Sequence, residues 1–153
     1  MAAINHNNSG LPVRTWSRNG YEISTERARI DIRFTHRELS KTYWAKNITR
    51  QQASQCFNNS LAVFGVYRAD GVQVGCARLV SDGVRFAYLM DVIITKSERG
   101  KGLGAWLNKC VINHPDLKSV RTWLLSSRDA REFYQKIGWT PLKNPERLLT
   151  RKL

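Results

Sequence analysis

The feature that most constrains the fold is an apolar stretch over residues 86–95, which runs into a glycine-rich turn and then a helical pattern. Both alternating faces of the stretch are apolar, as is typical of a central strand in a sheet covered on both sides. The turn reads Arg99-Gly100-Lys101-Gly102-Leu103-Gly104. Apolar residues at positions 103, 107, 110 and 111 then indicate an amphipathic helix over about residues 102–113, which Pro115 ends.

The rest of the chain alternates strand and helix patterns, with no internal repeat and no Pro- or Gly-rich linker. We predict strands over residues 21–25, 120–125 and 139–142, and a hairpin over residues 61–67 and 72–80. We predict helices within residues 31–39, from Thr49 to about Asn58 and from Asp129 to Gly138. This order indicates one mixed α/β domain over residues 16–153, after a flexible tail over residues 1–15.

Composition narrows the class of protein. Lys and Arg number 25 against 12 Asp and Glu, a net charge of +13, which favours an anionic partner unless the excess only solvates the surface. The three cysteines form no Cys-x-x-Cys pair, so we expect no metal site and a cytoplasmic location. The N-terminal segment lacks a signal-peptide pattern, and no apolar run reaches the roughly 18 residues that a membrane span needs.

Residues 99–104 combine the features of a phosphate site. A strand that leads directly into a helix leaves backbone N–H groups unpaired at the positive end of the helix dipole. Glycines at 100, 102 and 104 let the backbone approach an anion, and Arg99 and Lys101 add positive charge. The spacing matches neither the dinucleotide fingerprint nor the P-loop, and the alternative is a plain glycine-rich turn.

A second motif lies downstream and reads Tyr134-Gln135-Lys136-Ile137-Gly138-Trp139. Together the two motifs resemble the GNAT superfamily of N-acetyltransferases. The pyrophosphate loop of that family follows the pattern Arg/Gln-x-x-Gly-x-Gly/Ala, matched here by Arg99, Gly102 and Gly104, and its later motif is Tyr-x-x-x-Gly-aromatic. The resemblance extends over residues 59–142 and weakens before residue 49.

The resemblance implies a fold, a donor and a reaction. The fold is a mixed, mostly antiparallel central sheet flanked by helices, and acetyl-CoA is the co-substrate, with no metal. The reaction is direct attack by a primary amine of a small molecule in a ternary complex, with a peptide or protein amine as the alternative acceptor. The residues implied to bind the coenzyme are Val92, Ile93, Ile94, Arg99, Gly100, Lys101, Gly102, Leu103, Gly104 and Asp129.

Two residues are candidates for proton transfer. The resemblance places Tyr134 where the family's general acid protonates the departing thiolate, although Tyr134 also fits an apolar helix stripe with Ala130, Phe133 and Ile137. Asp91 is the only acid within the apolar strand, which suits a general base or a contact to the acceptor. The alternative for Asp91 is a carboxylate paired with Arg or with backbone.

The acceptor determinants are less defined. Tyr43 and Trp44 lie in the region that varies with the acceptor in this superfamily, and an aromatic pair lines a pocket or packs in the core. Asp129 stands where relatives often place Asn, and a helix N-cap role alone explains it.

Two rival functions stay open at this level. One is a basic nucleic-acid-associated module, disfavoured because no basic run exceeds two residues. The other is a catalytically weak acyl-CoA-binding sensor. A homodimer is possible, and the fold does not identify the acceptor.

Overall fold

The structure is a computed structural model that describes residues 10–153. Its six strands are β1 (Thr15–Arg18), β2 (Tyr21–Ser24), β3 (Ala62–Arg68), β4 (Gln73–Ser81), β5 (Phe86–Ile94) and β6 (Thr122–Leu124). Its four α-helices are α1 (Ile32–Leu39), α2 (Arg50–Asn58), α3 (Leu103–Ile112) and α4 (Arg131–Lys136). The mixed α/β class is therefore confirmed. Among these residues no helix has the length and apolar character needed to cross a membrane.

The strands form one sheet in the order β1-β2-β3-β4-β5-β6, antiparallel except for the parallel pair β5–β6. The predicted hairpin is β3–β4, with Val63 opposite Arg78. The first hairpin, β1–β2, was not predicted. Its turn has positive φ at Asn19 (49°) and Gly20 (77°), the combination that a two-residue type I′ turn requires.

The predicted tail extends into this first hairpin. Residues 1–9 lie outside the described residues. Leu11 packs against the main core, and the Arg14 guanidinium donates to both carboxylate oxygens of Asp116 at 2.9–3.2 Å. Thr15 already pairs with Ser24. The described part of the predicted tail is thus folded onto the domain.

Helices cover both faces of the sheet. Leu103, Leu107 and Val111 of α3 pack into the larger core on one face, as their helical spacing predicts. On the other face α1 and α2 supply Leu39 and Phe57 to a second core. The α2 N-terminus is the predicted capping box, in which Thr49 and Gln52 bond reciprocally. The α1 N-terminus is capped by Asp31, which accepts from the N–H groups of the first turn.

The predicted strand over residues 139–142 is wrong. After α4 the chain is held by Trp139, whose indole N–H donates to Asn108 Oδ1 at 2.9 Å. This bond and the ring contact with Tyr134 direct the segment toward the helices, and residues 139–142 join no strand of the described sheet.

Two irregularities in β5 shape one end of the sheet. Between the pairs Cys76–Ile93 and Arg78–Met90 two residues of β5 oppose one residue of β4, which is a β-bulge. Asp91 occupies it with φ of 53°, a left-handed conformation that Asp tolerates better than most residues. On the other side β6 pairs only with residues 86–88, so no strand within residues 10–153 covers this edge along the remainder of β5.

His114 gives the fold a pH dependence. It is fully buried between Trp16 and Phe64, and its Nε2 has no hydrogen-bond partner among residues 10–153. Desolvation lowers the pKa of His114 below its usual 6.5. The unfolded chain therefore binds the proton more readily, so we expect the free energy of unfolding to fall as pH drops below about 6.5. His114→Phe should flatten that slope in urea titrations between pH 7 and 5, and an unchanged slope would contradict the assignment.

Candidate active site

A cleft of about 990 Å³ opens beside the part of β5 that β6 does not reach. One end is formed by the turn between β5 and α3, and the other by α1 and the segment that follows it. The first turn of α4 closes one side. The residues that line the cleft are Glu38, Lys41, Thr42, Tyr43, Trp44, Val92, Ile93, Ile94, Thr95, Lys96, Glu98, Arg99, Gly100, Gly102, Leu103, Gly104, Ala105, Arg128, Asp129, Ala130, Phe133 and Tyr134.

The turn after β5 presents a row of free donors. The backbone N–H groups of residues 100–105 donate to no acceptor within the described part of the chain, and the first α3 bond there is from Trp106 N–H to Gly102 O. Gly100 and Gly102 have φ of 78° and 75°, a conformation that favours glycine. Of these residues Gly100 and 102–105 line the cleft, and unpaired N–H groups at a helix start suit phosphate oxygens.

The two cations of the turn are placed differently. The Arg99 Nε–H donates to Ile94 O at 3.0 Å, which leaves the exposed guanidinium at the rim of the cleft. Lys101 is not among the lining residues, and its ammonium donates to Glu98 at 2.6 Å and to the Tyr21 hydroxyl at 3.1 Å. These partners, Lys101 first and then Tyr21, hold the pKa of Glu98 below its usual value. Lys101 thus fixes the turn instead of lining the cleft.

Tyr134 faces the same cleft from α4. Its ring contacts Phe133 and Trp139 edge-on, at centroid distances of 5.1 and 6.2 Å. Desolvation, with a smaller contribution from Tyr43, raises the pKa of Tyr134 to about 12. The hydroxyl is therefore protonated at every pH at which the protein would act. The predicted helix stripe is only partly realised, because none of the α4 side chains is fully buried.

Asp91 does not line the cleft. Its Oδ2 accepts from the Arg78 Nε–H in a buried ion pair, and its Oδ1 accepts from the Trp44 indole N–H at 2.9 Å. The pair realises the alternative that the sequence left open, a carboxylate matched with Arg. Both oxygens are engaged, so Asp91 ties the bulge of β5 to β4 and to the segment after α1.

Tyr43 and Trp44 are 42% and 49% exposed, so the alternative that they are core residues is wrong. Both line the cleft. The Tyr43 hydroxyl accepts from the Arg128 backbone N–H at 2.9 Å, and the Arg128 guanidinium carbon lies 3.7 Å from the centre of its ring. These contacts join the two walls of the cleft at the end remote from the glycine turn.

The predicted N-cap role of Asp129 is wrong. Ala130 occupies the N-cap position of α4 without a side-chain cap, and its N–H donates to Ser127 Oγ instead. The Asp129 carboxylate pairs bidentately with Arg128 at 2.7 and 3.1 Å. Asp129 nevertheless lies on the wall of the cleft.

Sequence reasoning missed several lining residues, and Glu38 is the most consequential. It lies on the buried stripe of α1 one turn after Phe34 and is only 9% exposed. An acid at i+4 from an apolar residue on an amphipathic helix was the available signal. No sequence pattern indicated that the cleft is also lined by Lys41, Arg128 and Phe133.

The fold agrees with comparisons to known proteins. A family model described as an acetyltransferase (GNAT) domain matches residues 22–148. The chain belongs to the GNAT acetyltransferase family. The predicted family and GNAT fold are thereby confirmed.

Individual relatives of this GNAT chain lead to the same assignment. The crystal structure of a candidate GNAT-family acetyltransferase from Xanthomonas campestris pv. campestris is 37% identical, with a TM-score of 0.82 over 90% of this chain and 96% of that one. A candidate acetyltransferase of Gibberella zeae is 28% identical over 148 residues, 82% of each chain. A candidate acetyltransferase structure from Deinococcus radiodurans shares the fold, with 18% identity and a TM-score of 0.67 over 89% of this chain and 92% of that one.

Proposed function

We propose that this GNAT protein transfers the acetyl group of acetyl-CoA to a primary amine of a small molecule, by direct attack in a ternary complex. The observation that carries the proposal is one continuous cleft. It joins the unpaired backbone N–H groups of Gly100 and residues 102–105 at the α3 start to the Tyr134 hydroxyl and to the exposed aromatic wall of Tyr43 and Trp44. Donor and acceptor ends are therefore linked past the open edge of β5.

The glycine turn fits the pyrophosphate of the donor. Its N–H groups and Arg99 supply donors and positive charge where two phosphates would lie. Gly104 faces Phe133 so closely that an added Cβ would lie 3.3 Å from the ring. A small residue there keeps the backbone accessible beside the aromatic side chain. In this proposal Lys101 supports the turn through Glu98 and does not contact the phosphates.

The chemistry then follows from the neighbours of β5. The neutral amine forms the C–N bond to the thioester carbonyl carbon, and backbone N–H groups among Val92, Ile93 and Ile94 stabilise the oxyanion. When the intermediate collapses the C–S bond breaks, and the electron pair leaves on sulfur. Tyr134 gives its proton to the sulfur, and the proton lost by the amide nitrogen returns to the tyrosinate, directly or through water.

The raised pKa of Tyr134 bears on whether proton transfer occurs separately from C–S cleavage or together with it. Full proton transfer from a group of pKa about 12 to the thiolate of a thiol of pKa about 8.5 is uphill by about 5 kcal/mol. The transfer must therefore accompany C–S cleavage and the loss of a proton from nitrogen. A hydroxyl that is fully protonated before the reaction is well suited to this role, because it is always ready to donate.

Acetyl-CoA consumption with a panel of amines tests the proposal. We expect the full chain to release coenzyme A thiol with at least one class of primary amine and not with the matching N-acetylated compound. Mass spectrometry of the acceptor should show a gain of one acetyl group. Binding of acetyl-CoA without thiol release from any amine would contradict transfer and favour the sensor alternative.

A further inference from the structure

Glu38 places a buried carboxylate at the acceptor end of the cleft. Its side chain is only 10% exposed, yet it forms part of the cleft lining together with Tyr43 and Trp44. An acid so far removed from water is costly unless cations or donors satisfy it. Its surroundings therefore indicate what the cleft is built to bind.

Only one oxygen of Glu38 is engaged. Oε1 receives the Lys41 ammonium at 2.7 Å and lies 3.5 Å from the Arg37 guanidinium. No group among residues 10–153 donates a hydrogen bond to Oε2. This oxygen is also not fully enclosed by protein atoms, so it is accessible to a ligand. Glu38 thus keeps one acceptor available to a molecule in the cleft.

The other acids near the cleft either use both oxygens or lie at the glycine turn. Asp129 is held bidentately by Arg128. Glu98 lies next to the glycine turn, where its Oε2 receives Lys101 and Tyr21 and its Oε1 lies 3.8 Å from the Arg68 guanidinium. Asp91 uses both oxygens on Arg78 and Trp44. At the acceptor end Glu38 is the acid with a free oxygen.

A cation lies directly beside this acid. The Lys41 side chain is 62% exposed, so its ammonium has donors free toward solvent while one bond is made to Glu38. The buried Glu38 carboxylate complements an ammonium that enters the cleft, and the exposed Lys41 ammonium complements an anionic group that stays at the rim. A second ammonium would meet Lys41 and be repelled.

We propose that the acceptor is a primary amine that also carries a nearby anionic group, either a carboxylate or a phosphate. Its ammonium binds Glu38 Oε2, and its anionic group binds Lys41. The inference rests on the proposed transfer reaction and names the acceptor class of the same site. It also predicts that polyamines without an anionic group are poor acceptors.

Matched amines separate the two possible anionic groups. L-tyrosine is compared with tyramine, and O-phosphoethanolamine with ethanolamine, by thiol release from acetyl-CoA. We expect the anionic member of at least one pair to have a kcat/KM about tenfold higher or more. Tyramine and ethanolamine that react as well as their anionic counterparts would overturn the proposal while leaving acetyl transfer intact.

Two substitutions test the residues. Glu38→Gln should raise the KM of the preferred acceptor by about 10- to 100-fold with the Kd of acetyl-CoA unchanged, because the ammonium loses its charged partner. Lys41→Gln should reduce the ratio between the anionic amine and its counterpart by about three- to tenfold. Lys46→Gln removes an exposed charge from the same segment and should change neither quantity. An unaltered acceptor KM in folded Glu38→Gln would refute the assignment.

Calorimetric titration of the same four amines into the protein bound to coenzyme A measures acceptor affinity without acetyl transfer. This measurement tests the inference even if no turnover is found. We expect L-tyrosine or O-phosphoethanolamine to bind wild type and to bind Glu38→Gln at least about tenfold more weakly. If no amine releases thiol but this binding difference is found, the transfer proposal fails and the acceptor site stands. If neither anionic amine binds wild type, the acceptor site is refuted.

Discussion

Replacing Tyr134 with phenylalanine should lower kcat by about 10²–10⁴-fold, the usual contribution of a positioned general acid. The hydroxyl is lost while the ring keeps its edge contacts with Phe133 and Trp139. The Kd of acetyl-CoA should therefore change by no more than about twofold, since the glycine turn is untouched. Steady-state kinetics beside direct titration of acetyl-CoA measures the two effects separately.

Tyr88→Phe is the matched control for that change. Tyr88 lies on β5 outside the cleft lining and pairs with Leu124, so the same loss of an oxygen should leave kcat close to wild type. If Tyr134→Phe retains full kcat, Tyr134 packs α4 and is not the acid. A weaker binding of acetyl-CoA with unchanged kcat would lead to the same conclusion.

Asp91→Asn should lower the free energy of unfolding by about 3–5 kcal/mol, because it leaves the Arg78 guanidinium buried without its counter-charge. The two side chains are only 6% and 11% exposed. Asn keeps the shape of Asp and tolerates the positive φ at this position, so the loss is electrostatic and not steric. Urea-induced unfolding followed by circular dichroism measures the change.

Removing the cation as well should recover much of that loss. In Asp91→Asn with Arg78→Met the uncompensated charge is gone, and we expect the double variant to be more stable than Asp91→Asn alone. Asp70→Asn breaks an exposed pair with Arg68 and should leave stability nearly unchanged. A double variant no more stable than Asp91→Asn would show that the bulge depends on Arg78 for another reason.

The segment from β5 through α3 was predictable because its local chemistry determines its structure. Continuous apolar character predicts a central strand, glycines predict the turn, and the spacing of Leu103 and Leu107 predicts the helix. The capping box at Thr49 was equally local. Each of these features is determined by residues within one or two turns of chain.

Other features depend on partners far away in the chain. The bulge at Asp91 needs Arg78 and Trp44, and no pattern within residues 86–95 shows that those side chains converge there. Asp129 is a local exception, because its carboxylate pairs with the adjacent Arg128 and not with the start of α4. The β1–β2 hairpin is different, because the dipeptide Asn19-Gly20 is typical of a hairpin turn and would have allowed its prediction.

The acceptor end of the cleft was the least accessible to sequence reasoning. It is assembled from the segment after α1 and the loop before α4, which meet through Tyr43 and Arg128. The sequence alone does not show that single charged residues such as Glu38 and Lys41 form part of a site, because this depends on their burial and pairing. The proposed donor site is visible as a motif because backbone groups of one local turn form it, whereas acceptor recognition uses whatever side chains the packing brings together.

The short pairing between β5 and β6 makes this end of the chain the region that we expect to unfold first. Only three residue pairs attach β6 to the sheet, and α4, which follows it, buries no side chain completely. Regions with so few buried contacts open at a lower free energy than the rest of the fold. Tyr134 is carried by this weakly attached part, whereas the glycine turn leads directly into α3, whose Leu103, Leu107 and Val111 belong to the main core. If acetyl-CoA binds the glycine turn as proposed, heat or denaturant should therefore abolish turnover first and leave a domain that still binds acetyl-CoA.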